Sequence, residues 1–176
     1  MTTGSTYLES VKQQLLYYKS LGDKAMAQLE PAMLFIQPNN ESNSIAMIVQ
    51  HMHGNMMSRW TNFLTSDGEK EWRKRDEEFE VILQTKEEVL QKWEEGWACV
   101  FNAIHPLNDS MLGNTVKIRS EAHTVTEAIN RQLAHYPYHV GQIVFYAKQL
   151  IGEKFVSLSI PKNKSNEFNA GKSGTK

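Results

Sequence analysis

The sequence predicts an all-α fold: one four-helix bundle domain with a long crossover connection between helices 2 and 3. Two observations carry this expectation. Four stretches place apolar residues at helical spacing, and three of them open on a Thr-x-x-Glu capping box. Proline and glycine then punctuate the joins, at Pro31, Pro38, Gly68, Pro106 and Gly152.

The first helix starts at Thr6-Tyr7-Leu8-Glu9, with Thr6 as N-cap. It carries Leu8, Val11, Leu15, Tyr18, Met26 and Leu29, and Pro31 stops it. Met33, Leu34 and Phe35 follow as a short apolar loop. The second helix begins at Asn43 or Ser44, both good N-caps. Its wide apolar face holds Ile45, Ile48, Val49, Met52, Met56, Trp60 and Phe63, and Asp67-Gly68 ends it.

Residues 67–84 are crowded with charge, from Asp67 and Glu69 through Arg73, Lys74 and Arg75 to Glu78 and Glu80. Such a run reads as a solvated face. Its length suits a crossover that lets helices 2 and 3 run parallel. Thr85-Lys86-Glu87-Glu88 opens the third helix, whose inner stripe is Val89, Trp93, Trp97, Val100, Phe101 and Ile104. Residues 114–120 alternate apolar and polar side chains, as an extended segment or two-stranded ribbon would. Thr124-Val125-Thr126-Glu127 opens the fourth helix, which runs to Ile151 before Gly152 and contains Pro137. The domain spans residues 1–160. The polar tail, 161–176, reads as mostly disordered, with Phe168 as a docking residue.

Net charge is −1, from 19 basic and 20 acidic residues. That balance lacks the basic footprint of a nucleic-acid binder and gives no reason to expect a membrane surface as partner. Cys99 is the only cysteine, so no internal disulfide forms, which fits a reducing compartment. With no leader-like start and no apolar run near about 18 residues, the expected location is the cytoplasm.

The chemistry-bearing stretch is His135-Tyr136-Pro137-Tyr138-His139. An i, i+4 pair sets both imidazoles on one helix face, about 5–6 Å apart at Cβ. They can converge on one metal ion, with His51 of helix 2 as the third ligand. Without further support, the same spacing arises on helices that bind nothing. His53 lies roughly 200° around the helix from His51 and reads as a surface residue. His105 suits a helix C-terminus, and neither it nor His123 is expected to matter to the site.

A histidine seven residues into helix 2, after Ser44-Ile45, and a late His-x-x-x-His-x-Gly-Gln together resemble the DinB/YfiT-like superfamily of metal-dependent enzymes. The resemblance covers residues 5–152. The linker Asp67-Gly68-Glu69-Lys70-x-Trp72-Arg73-x-Arg75-Asp76-x-Glu78-Phe79 is similar to a branch of unassigned function. The resemblance implies a divalent ion, zinc or nickel, on His51, His135 and His139, and a homodimer. It also implies a small-molecule substrate: a low-molecular-weight thiol transferred to an electrophile, or a hydrolysable compound. Asn55, Gln132, Gln142, Arg131 and Tyr146 are candidates to orient groups around the ligands. Cys99, amid Trp97, Val100 and Phe101, reads as an inert thiol. The competing expectation is a non-catalytic metal- or ligand-binding bundle, with Trp60, Trp72 and Tyr138 lining an edge pocket.

Overall fold

The computed structural model describes residues 2–80 and 82–173. Most of the chain is helical: α1 (Thr3–Ala27), α2 (Ile45–Trp60), α3 (Lys86–Ile104), α4 (Val125–Ile151) and the short α5 (Ser165–Ser173), with an antiparallel hairpin of β1 (Thr115–Ile118) and β2 (Glu121–Thr124).

Contact order along the helices gives their directions. Tyr7 of α1 bonds Asn130 near the start of α4, while Gln28, just past α1, bonds Val156 just past α4, so α1 and α4 run parallel. His53 faces Glu95, and Thr61 at the other end of α2 reaches Cys99, so α2 and α3 also advance together. Against these, α2 meets α4 head to tail: His51 lies by His139, and Trp60 by Tyr136. The long connection after α2 is therefore a crossover between parallel helices.

The capping boxes at Thr85 and Thr124 form as the sequence predicts. Thr124 also closes the hairpin, paired with Thr115, so the ribbon delivers the chain directly into α4. The Thr6 box does not form. Thr2 caps α1 instead, accepting from the Ser5 amide at 3.1 Å, and Thr6 donates its hydroxyl back to the Thr2 carbonyl. Glu9 turns forward to Gln13. Ser44 is the N-cap of α2, and the helix ends at Trp60 rather than at Asp67-Gly68, because Asn62 takes a left-handed backbone conformation two residues on. Met33, Leu34 and Phe35 form a 3-10 turn, Pro31–Phe35, rather than a loop. Helix α4 continues through Pro137 without interruption.

Trp93, Trp97 and Tyr136 are fully enclosed among the aliphatic residues of the core. Those tryptophans are buried in the core of this chain. Trp60, expected at an edge, is buried too, and donates to the Tyr136 hydroxyl at 2.8 Å, whereas Trp72 and Tyr138 are exposed. In the tail, residues 165–173 are helical rather than disordered, and its last three residues lie outside the described residues. Among the described residues, no helix is long and apolar enough to cross a membrane.

Candidate metal centre

The antiparallel packing of α2 on α4 brings His51, His135 and His139 together. One ligand atom from each lies within 4.8 Å of the others. Nε2 of His135 is 3.4 Å from Nε2 of His51 and 3.1 Å from Nε2 of His139. Two nitrogens each about 2.05 Å from a tetrahedral ion stand about 3.3 Å apart, so these spacings match a shared ion. His51 is buried and His135 and His139 are half-buried, with His51 and His135 lining a cleft.

The far side of each ring decides which nitrogen keeps a lone pair. Nδ1 of His51 lies 2.9 Å from Oε2 of Glu78, a carboxylate that can only accept, so His51 donates there and its Nε2 is left bare. Nδ1 of His139 donates in the same way to Oε1 of Gln142, at 2.9 Å. Both partners thus aim Nε2 lone pairs inward. Nδ1 of His135 has no partner among the described residues. Burial, and then the neighbouring histidines, push His135 down to about 3, and burial lowers His139 as well, so both rings stay neutral at neutral pH, as metal ligands must.

Glu78 was hidden by its surroundings in sequence. The charged stretch that contains it is not simply solvated. Arg73 grips the carboxylate with Nε at 2.7 Å and Nη2 at 2.9 Å, and both side chains are buried. Burial alone would raise the Glu78 carboxyl, but the hydrogen bonds from His51 and Arg73, with the guanidinium charge, hold it below its usual range. Phe79, next along, stacks on His51 with ring centroids 5.0 Å apart. The crossover thus supports the ring of His51. The one available signal was the alternation of Arg73, Glu78 and Phe79 in a connection too long to be a mere link.

The remaining candidates divide. Gln142 holds His139, and Asn55 accepts from the Tyr136 hydroxyl while lining the cleft beside His51. Gln132 and Arg131 line that same cleft. Tyr146 does not belong: its hydroxyl donates to the Ile36 carbonyl. His53 is half-buried rather than on the surface, its Nε2 3.3 Å from Glu95, and it faces α3 instead of the site. His105 is the C-cap of α3, and His123 sits on the hairpin. Cys99 lines a separate cavity with Met57 and Phe63, and burial raises its thiol.

The comparisons with known proteins bear on family and fold and are silent on activity. The profile of a family described as a protein of unknown function, DUF1572, matches residues 2–164. No curated protein matches the chain. A crystal structure described as a conserved protein of locus from Enterococcus faecalis is similar at a TM-score of 0.64 and 14% identity, covering 87% of this chain and 99% of that one.

Proposed function

The chain belongs to the DUF1572 family of unknown function, and we propose that it is a metal-dependent enzyme of the DinB/YfiT type. In this reading, a divalent ion, zinc or nickel, sits on His51, His135 and His139. The helices form a four-helix bundle whose crossover joins α2 to α3. The observation that carries the reading is the convergence of three Nε2 atoms, two of them stripped of protons by Glu78 and Gln142.

When bound, such a dication favours the anionic form of a thiol or water at neutral pH. Everything else is done by the chain. Arg73 and Glu78 fix the tautomer and tilt of His51, and Gln142 does so for His139. Phe79 covers one face of His51. The cleft past Tyr138 opens onto His135 and His51. These groups suit the transfer of a low-molecular-weight thiol to an electrophile, with hydrolysis as the close alternative. The nucleophile is not Cys99, whose thiol is held protonated in another cavity. A homodimer belongs to this reading through the family resemblance alone, and sedimentation tests it.

The test is elemental analysis of the untagged protein, followed by a metal-reconstituted assay of several thiols against an aromatic electrophile. His139→Ala should lose both metal and turnover, while Cys99→Ala, His53→Ala and His105→Ala keep them. Turnover that is independent of metal would sink the enzyme reading. Stoichiometric metal without turnover would point to a binding protein instead.

A further inference from the structure

The cleft beside the three histidines has an unusual wall. A cavity of about 410 Å³ opens onto His51 and His135, and five arginines line it: Arg59, Arg73, Arg75, Arg119 and Arg131. That volume falls in the range of small-molecule sites, roughly 300–1,000 Å³. The charges are not matched. Glu69 bonds Arg59 at 3.1 Å and Arg119 at 3.1 Å, and Glu78 takes Arg73. Two carboxylates therefore serve three of the guanidiniums. Arg75 and Arg131 have neither an ion pair nor a hydrogen bond among the described residues, and they reach the cleft from two separate elements, the crossover and α4. The same cleft is lined by Gln132, 3% exposed, with its Oε1 buried and unpartnered among the described residues. A buried amide oxygen without a donor is rare in folded proteins and is satisfied when a ligand group reaches it.

We propose that this cleft binds a small organic oxyanion, a carboxylate or a phosphate ester, clasped between Arg75 and Arg131. A guanidinium offers a planar fork of donors that fits the two oxygens of either group. The paired Arg59, Arg73 and Arg119 are anchored, so they add positive potential without having to reorganise. Gln132 Oε1 then accepts a hydrogen bond from a hydroxyl or N–H on the ligand's body. A polyanion such as nucleic acid is a poorer occupant, because the chain as a whole carries net charge −1 and the excess of arginine is confined to one small cavity. The ligand's role as a substrate rests on the reading of the three histidines as a reaction centre. Its binding does not.

Calorimetric titration of the full-length protein, as purified and after chelation, tests this with malonate. Inorganic phosphate is titrated into the chelated protein, and sodium chloride at equal ionic strength serves as control. Saturable one-site binding of malonate or phosphate is expected, with Arg75→Gln and Arg131→Gln each weakening it about tenfold and Lys74→Gln leaving it unchanged. Both arginines are exposed, so these variants keep the fold, and dichroism checks that they do. A preference for malonate identifies the carboxylate, and one for phosphate the phosphate ester. No saturable binding of either probe, or unchanged binding in both arginine variants, overturns the proposal. Zinc and nickel content of the protein as purified, and its uptake of either ion after chelation, separate the two readings: oxyanion binding without uptake of either metal removes the metal centre and keeps this site, and metal uptake without oxyanion binding does the reverse.

Discussion

His51 donates its Nδ1 proton to Glu78 across 27 positions of sequence, at 2.9 Å. This is the arrangement in which a carboxylate orients a histidine ligand and raises its basicity, and losing such a partner typically costs about 10–100-fold in metal affinity. Glu78→Ala should show a loss of that size in a competitive zinc titration. Glu78→Gln, which keeps an acceptor for His51 but loses the charge facing Arg73, should fall between Glu78→Ala and wild type. Equal zinc affinity in all three proteins would mean that the contact plays no part in ligation.

How much of this centre could be read in advance follows from where each residue sits. His135 and His139 lie on one helix, where a four-residue step fixes their shared face, and His51 follows from the order of elements around it. Glu78, Arg73 and Arg75 lie in a connection with no period to betray which side chain turns inward. There, a buried carboxylate and a solvated one read alike. Trp60 was misplaced for a related reason. Periodicity puts it at the margin of the α2 stripe, and only the meeting of α2 with α4 buries it, by giving its indole N–H the Tyr136 hydroxyl. The start of α1 was missed because two overlapping caps, Thr2 and Thr6, compete, and the earlier one gains an extra turn of helix.

The Tyr136 hydroxyl accepts from Trp60 at 2.8 Å and donates to Asn55 at 3.2 Å, in a fully buried setting. Burial drives its ionisation far above the usual range, so the group stays protonated and serves as a bridge. Tyr136→Phe strands one donor and one acceptor away from water. Each costs about 1–3 kcal/mol when left unpaired. A loss of about 2–4 kcal/mol in urea unfolding is expected, and less than about 0.5 kcal/mol would show that the bridge is idle.

Asp67 ties the crossover to the hairpin. Its Oδ1 accepts from the amides of Glu69 at 2.7 Å and Arg119 at 2.9 Å, and its Oδ2 from Ser120 at 2.7 Å. Arg119 and Ser120 sit at φ 56° and 65°, a two-residue turn that ordinarily asks for Asn-Gly. The hydrogen bond from Glu69, and then those from Ser120 and Arg119, outweigh burial and lower the carboxyl below its usual range. The folded protein therefore holds this proton less tightly than the unfolded chain. Stability from this group is present above the unfolded value and is lost as pH falls through the folded one. The Arg119 and Ser120 amide resonances should titrate together below the ordinary aspartate range, and Asp67→Asn should abolish that titration. Resonances that move at the ordinary value would deny the link.

Gly54 lies one turn beyond His51, in the interior of α2, where glycine costs about 1 kcal/mol relative to alanine. A Cβ at that position would overlap the Glu78 carboxylate. The helix thus gives up intrinsic stability at the place where the crossover's carboxylate must come close enough to reach His51. Gly54→Ala improves helix propensity and displaces Glu78, so the two properties should part: metal affinity falls about 10–100-fold, as for Glu78→Ala, while the apo protein loses much less than a clash in a rigid core would cost. The double variant Gly54→Ala/Glu78→Ala decides the cause. If glycine acts only by admitting Glu78, the double variant binds zinc as weakly as Glu78→Ala alone, since both changes remove one contact. Additive losses in the double variant would place the effect of Gly54 elsewhere in α2.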